Sequence, residues 1–216
     1  YDWTCIIDKQ YCLYYPFQLE AYRGGKGIWK HNGLEMDLPQ TLLSSNERKQ
    51  LFKIAHEGPA KGAIVNIGHF NGGSSIILAS GSKLKQREKV FSFDISADGF
   101  NSSVEYLDKN NVRDWIIFEE SPSVDAARAW AKKEETKIRL LFIDGDHSYE
   151  GCKNDIQEWS HYVTTGGMIA IHDYGNIYLE NDECPSIIRA VYETLLNDKT
   201  FSNFECVDTL LLATKK

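Results

Sequence analysis

The stretch Leu140-Leu141-Phe142-Ile143-Asp144-Gly145-Asp146-His147-Ser148-Tyr149-Glu150-Gly151 decides the fold. Four apolar residues stop abruptly at Asp-Gly-Asp-His. A continuous apolar run of this kind reads as a strand buried on both faces, the mark of a parallel sheet. Its carboxyl end delivers two acids and an imidazole, and open α/β sheets bind ligands outside the carboxyl ends of their strands. The pattern returns at Gly166 to Tyr174, where Met168-Ile169-Ala170-Ile171 runs into His172-Asp173-Tyr174. Two buried strands ending in acid and histidine predict one polar site built from two loops.

Outward from this pair, strand and helix patterns alternate. Strands are predicted over Ala63–Ile67, Val90–Asp94, 115–118, Ile138–Ile143 and 168–171. Helices are predicted over 42–56, 72–85, 100–110, 123–133, 150–163 and 186–197, with Ser44 or Ser45 capping the first. Such alternation implies right-handed βαβ units with helices on both faces of a doubly wound sheet. Segments 204–207 and 209–213 have no helix between them and read as an antiparallel edge hairpin turning near Asp208. The first 40 residues differ. They crowd Tyr1, Trp3, Tyr11, Tyr14, Tyr15, Phe17, Tyr22 and Trp29 around Gly24, Gly25 and Gly27, without a clear period. Residues 1–40 are expected to form an arm on the domain surface or a lid over the site; residues 41–216 form the domain.

Composition narrows the function. The 216 residues carry a net charge of −7, which opposes a nucleic-acid footprint, since that requires a basic stripe. Cys5, Cys12, Cys152, Cys184 and Cys206 are odd in number, widely spaced and lack a CxxC pair. They suggest neither a disulfide framework nor a zinc site, and free thiols in the reducing cytoplasm are expected. No apolar run approaches the roughly 18 residues of a membrane span, and no leader peptide is visible. The aromatic arm suits a dimer contact, although nothing in the sequence excludes a monomer.

The link between the first core strand and its helix is Asn66-Ile67-Gly68-His69-Phe70-Asn71-Gly72-Gly73-Ser74-Ser75. Glycines permit tight turns and close approach of a ligand, and the helix N-terminus behind them offers free N–H groups. The spacing is Gly-x-x-x-Gly-Gly, which is neither the dinucleotide fingerprint nor a Walker loop. The second strand ends in Asp94, an acid able to accept from both ribose hydroxyls of a nucleoside. The third ends in Glu119-Glu120-Ser121, where a polar side chain can meet a base edge.

With these four motifs in order, the chain resembles the class I S-adenosylmethionine-dependent methyltransferases. It is most similar to the branch holding macrocin-type, catechol-type and caffeoyl-CoA-type O-methyltransferases. The resemblance runs from about Leu42 to Lys216. It implies a Rossmann-like, mostly parallel sheet of seven strands in the order 3-2-1-4-5-7-6, with the last strand antiparallel. It implies that Asn66, Gly68, Phe70, Gly72, Gly73 and Ser74 cradle the methionine part of the cofactor, and that Asp94 holds the ribose. Glu120 and Ser121 would lie near adenine, and Asp144 and His147 would border the cofactor.

In metal-dependent members of that branch, one acid after strand four and an adjacent pair after strand five bind a divalent ion. Asp144, His172 and Asp173 stand at those positions, and Mg²⁺ or Mn²⁺ is the implied ion. His172 departs from the all-oxygen pattern and favours Mn²⁺, Fe²⁺ or Zn²⁺. His147 stands where catechol-like members carry a lysine base, so it is the candidate general base, with Asp146 able to share the role. Asn66 stands where an acid is usual and forfeits that charge. The implied reaction is methylation of a hydroxyl on a small molecule such as a sugar or natural product. Asn66 and His172 leave open a second reading, a nucleoside-binding domain that has lost transfer and serves as a partner or sensor. A nicotinamide-dependent oxidoreductase is a third, against which the glycine spacing speaks.

Overall fold

A computed structural model describes residues 25–58, 60–133, 136–174 and 186–216. Two short strands come first, β1 (Gly27–His31) and β2 (Leu34–Leu38), followed by helix α1 (Ser45–Glu57). Strands and helices then alternate through β3 (Ala63–Ile67), α2 (Gly73–Leu84), β4 (Val90–Asp94), α3 (Asp98–Lys109), β5 (Ile116–Glu120), α4 (Ser123–Trp130), β6 (Ile138–Ile143), α5 (Tyr149–Trp159) and β7 (Val163–Ile171). Helix α6 (Ser186–Val191) continues into a π turn over Tyr192–Leu196, and β8 (Phe201–Val207) and β9 (Leu210–Lys215) follow.

Seven strands form one sheet in the order β5-β4-β3-β6-β7-β9-β8. Strands β3 to β7 pair in parallel, because each connection between them carries a helix across one face. Strand β9 is antiparallel to both β7 and β8. The short β8–β9 connection allows only that direction, and Asp208 makes the turn at φ 54°. Counted from β3, this is the implied 3-2-1-4-5-7-6 order.

The strand pleat divides the core into two layers. Val65, Ile67, Leu141 and Ile143 face α4, α5 and α6, where Trp130, Trp159 and Ile187 complete the packing. Ile64, Leu140 and Phe142 face α1, α2 and α3, where Leu51, Ile77 and Leu107 are buried. All six residues of β6 are buried; Arg139 is paired there with Glu88 at 2.6 Å, and the other five are apolar side chains. Each such side chain contributes on the order of 1.5–3 kcal/mol relative to exposure.

The structure extends the reading at three places. Residues 27–38 form an antiparallel hairpin, whose Trp29, Met36 and Leu38 join the α1–α3 core layer. Helix α5 ends at Trp159, Ser160–Tyr162 tightens into a 3-10 turn, and β7 begins at Val163, so only Val163 of the stretch read as helix is strand. Cys206 is disulfide-bonded, which corrects the expectation of thiols throughout and removes the thiol argument for a reducing compartment. Cys152 is a free, buried thiol. No helix among the described residues is long and apolar enough to cross a membrane. Of the expected arm, residues 1–24 lie outside the described part.

Candidate active site

The turn from β3 into α2 is too crowded for side chains. Gly68 has φ +89°, and a Cβ there would lie 2.0 Å from the Asp144 carbonyl oxygen. Only glycine lets the two loops touch. A Cβ on Gly99, at the start of α3, would lie 1.8 Å from the Phe70 carbonyl oxygen. Between these contacts Phe70 sits at φ 46° with its side chain 60% exposed. Asp94 anchors the loop: its Oδ2 accepts from the N–H groups of His69 and Phe70, both at 2.9 Å. Its Oδ1 accepts from Ser96 N at 3.2 Å. A carboxylate offers about four lone-pair sites, so acceptor capacity remains for ligand hydroxyls.

The other loop residues surround this anchor. Gly72 and Gly73 lead into α2, with Ser74 buried in its first turn. Gly73 is packed against Thr41. Glu120 pairs in register with Asp94, and Ser121 N donates to the Asp94 carbonyl at 2.7 Å. Ile95, absent from the sequence reading, follows Asp94 with 76% exposure. An apolar residue directly after a strand-ending acid was the signal for it. Asn66 is buried, and its Nδ2 donates to Ser75 Oγ and Ser92 Oγ, both at 2.9 Å.

The second half of the site sits at the ends of β6 and β7. His172 Nδ1 lies 3.0 Å from Asp144 Oδ1 and 3.4 Å from Asp173 Oδ2. Its Nε2 lies 3.3 Å from Glu47 Oε2 on α1. Glu47 in turn accepts from Ser44 N at 2.6 Å, completing a capping box, and from Thr209 N and Oγ1 at 2.8 and 2.7 Å. Burial opposes a charge on His172, yet Asp144, Asp173 and Glu47 outweigh it and hold the imidazole well above its usual range. Burial likewise opposes the charge on Glu47, and His172 reverses that, keeping the carboxyl below its usual value.

His147 completes the cluster. Its Nε2 lies 3.1 Å from Asp173 Oδ2 and 3.6 Å from Asp144 Oδ1. That nitrogen is buried and aligned for a hydrogen bond with neither. Asp144 foremost, then Asp173, raise the His147 pKa to about 10 against the cost of burial. Candidate ligand atoms of Asp144, His147 and Asp173 all lie within 4.8 Å of one another. A buried nitrogen with no aligned partner, facing two carboxylates, fits a divalent cation. One imidazole with two carboxylates suits Mn²⁺, Fe²⁺ or Zn²⁺ better than Mg²⁺.

These positions bear on three expectations. His172 was expected to be a ligand, but both its ring nitrogens are engaged by carboxylates, and His147 occupies the third place in the cluster. His147 was expected to be the base; its ring instead stands between the Asp144 and Asp173 carboxylates, which raise its pKa in the absence of a cation and make it a candidate ligand when one is bound. Asp146 stands apart: it is exposed, and its Oδ1 accepts from Ser148 N at 2.8 Å, ordering the start of α5. Glu47 and Thr209 escaped the reading because only the fold brings α1 and the β8–β9 turn to this place. Tyr149 and Lys153 stand four residues apart with Nζ 2.6 Å from the hydroxyl, but Glu193 and Arg189 tie them to α6.

Residues 65–174, just over half of the chain, match a family model described as a methyltransferase domain. An uncharacterized protein of Acanthamoeba polyphaga mimivirus is 26% identical over 155 residues, 66% of this chain. The match spans 65% of that relative's length, just under two thirds. Among solved structures, the O-methyltransferase TomG of Streptomyces achromogenes, involved in tomaymycin synthesis and bound to S-adenosylmethionine, is similar with a TM-score of 0.68. It is 18% identical, and the match covers 83% of each chain. An O-methyltransferase of Bacillus cereus in complex with S-adenosylhomocysteine gives 0.66 at 18% identity, over 83% of this chain and 84% of that one. The TDP-rhamnose 3′-O-methyltransferase CalS11 of calicheamicin biosynthesis gives 0.58 at 18% identity, over 77% and 76%. At these identities the structural likenesses show a shared fold.

Proposed function

The chain belongs to the methyltransferase-domain family, and from that membership we propose that it methylates a hydroxyl of a small molecule, with S-adenosylmethionine as donor. The observation that carries the reading is the contact between Gly68 and Asp144. It sets a cofactor-type glycine loop directly against the acid and imidazole cluster, so donor and acceptor sites would adjoin.

In this reading Asp94 accepts hydrogen bonds from the ribose hydroxyls, and Glu120 and Ser121 border adenine. The apolar surfaces of Phe70 and Ile95 flank the cofactor. When bound, S-adenosylmethionine supplies an electrophilic methyl group. Asp144, His147 and Asp173 are the residues that would hold a divalent ion, which when bound supplies Lewis-acid polarisation of the acceptor oxygen. His172, fixed by Glu47, keeps the Asp144 carboxylate oriented. The hydroxyl proton passes to a carboxylate oxygen of Asp144 or Asp173, or to solvent, as the oxygen is aligned with the methyl group. Alignment and a polarised oxygen supply most of the rate. A sugar or natural-product hydroxyl is the proposed acceptor, in keeping with the sugar acceptor named for CalS11.

The test is transfer of labelled methyl from S-adenosylmethionine to a panel of sugars and hydroxylated aromatics, with and without Mn²⁺. Product that Asp144→Ala abolishes while cofactor binding persists supports the proposal. Cofactor binding with no product from any acceptor supports the non-catalytic partner or sensor instead.

A further inference from the structure

Beneath the glycine loop lie five polar side chains that the reaction above does not use. Asn66, His69, Ser75, Ser92 and Ser103 are each no more than 1% exposed. Their hydrogen bonds have a forced direction. Ser103 Oγ donates its one hydrogen to the Phe100 carbonyl at 2.8 Å. Toward His69 Nε2, 3.3 Å away, Ser103 can therefore only accept. His69 carries its proton on Nε2, and its Nδ1 is an acceptor. Ser92 Oγ at 2.9 Å and Ser75 Oγ at 3.1 Å face that Nδ1, and they lie 3.1 Å from each other. One hydroxyl donates to the imidazole and the other to its fellow serine.

Both serine hydrogens are then spent on the His69 side, so the serine oxygens accept from Asn66 Nδ2. The Gly68 carbonyl, 3.2 Å from the same nitrogen, favours the same amide orientation. One group is left over: Asn66 Oδ1, buried and without a partner. Burial lowers the His69 pKa to about 4, so the relay stays uncharged at neutral pH.

We propose that His69 is a positioning residue for the cofactor. Its Nδ1 orients the serine hydroxyls and thereby holds the Asn66 amide with Oδ1 as acceptor for the amino group of the cofactor's methionine end. The inference rests on the cofactor reading above. A cationic donor reaching Oδ1, directly or across one water, relieves an otherwise costly unmet acceptor. Without the Nδ1 acceptor, the serine hydroxyls turn toward the amide oxygen. The amide then reverses and presents N–H to a cation.

Two ligands separate this role from simple support of the loop. S-adenosylhomocysteine carries the amino-acid end, and 5′-methylthioadenosine lacks it. His69→Phe keeps a ring against Phe100 and Phe118, its present neighbours, but removes the acceptor. Calorimetric titration of this variant is expected to show S-adenosylhomocysteine binding about tenfold weaker or more, with methylthioadenosine within about threefold of wild type. His69→Asn, whose Oδ1 can stand in for Nδ1, restores most of the loss. Ser103→Ala, a milder change, shifts binding in the same direction by a smaller factor. Equal weakening of both ligands, or no change in either, overturns the inference and leaves the cofactor reading intact. Wild-type protein that binds neither ligand overturns the cofactor reading and this inference together.

Discussion

Glu47 and His172 stand 125 positions apart in the chain and meet as a buried pair, with Oε2 3.3 Å from Nε2. Their side chains are 1% and 2% exposed. The pair joins α1, β7 and, through Thr209, the β8–β9 turn. Glu47→Ala leaves a buried imidazole without one of its counter-charges and removes the side-chain half of the α1 capping box. It is expected to lower stability by about 3–5 kcal/mol in urea unfolding. A loss under about 1 kcal/mol means that the pair does not hold the site together.

Asp155, on α5, is a buried acid whose effect on stability has the opposite sign. Burial raises its pKa to about 6 from 3.8, with a Ser123 hydrogen bond opposing and Asp146 adding to the rise. A carboxyl raised in the folded state destabilises the protein above pH 6. That penalty shrinks as pH falls from 6 toward 3.8, and vanishes below. Asp155→Asn keeps the shape and removes the charge. It is expected to add about 2–3 kcal/mol at pH 7.5 and nothing near pH 3.5. Thermal melts across that range check it, and an Asn variant no more stable than wild type at pH 7.5 contradicts it.

Gly99→Ala tests the close packing of α3 on the glycine loop. The added methyl would sit 1.8 Å from the Phe70 carbonyl, so one of the two backbones must move. Since Phe70 N is bonded to Asp94, the anchor moves as well. S-adenosylhomocysteine affinity is expected to fall at least about tenfold, while the fold persists by circular dichroism. Unchanged affinity shows that the loop is slack.

The proposed cation site makes its own prediction. Mn²⁺ titration followed by electron paramagnetic resonance is expected to show one site, weakened at least about tenfold in His147→Ala and lost in Asp173→Ala. Retention of full affinity in His147→Ala returns His172 to the ligand set.

The seven-stranded sheet was legible because each buried strand is a short apolar run with a helical period behind it. The hairpin 27–38 was not, because aromatic and glycine residues hide its alternation. Its signal was Asn32-Gly33, both at positive φ, the pair that a tight hairpin turn prefers. At the site, Asp94, Asp144, His147 and Asp173 stood out as polar residues at strand ends. The partner of His172 could not be read, since Glu47 looks like an ordinary first-turn acid capping α1. For the same reason the places of His147 and His172 could not be told apart: spacing puts both near Asp144, and only side-chain direction sets His172 against Glu47 and His147 between Asp144 and Asp173.

The most direct measurement is calorimetric titration of the purified protein with S-adenosylhomocysteine, beside an Asp94→Asn variant. The account predicts one site of micromolar affinity in the wild type, weakened at least about tenfold by the substitution, because Asp94 both anchors the glycine loop and receives the ribose. Folded wild-type protein that takes up no S-adenosylhomocysteine contradicts it.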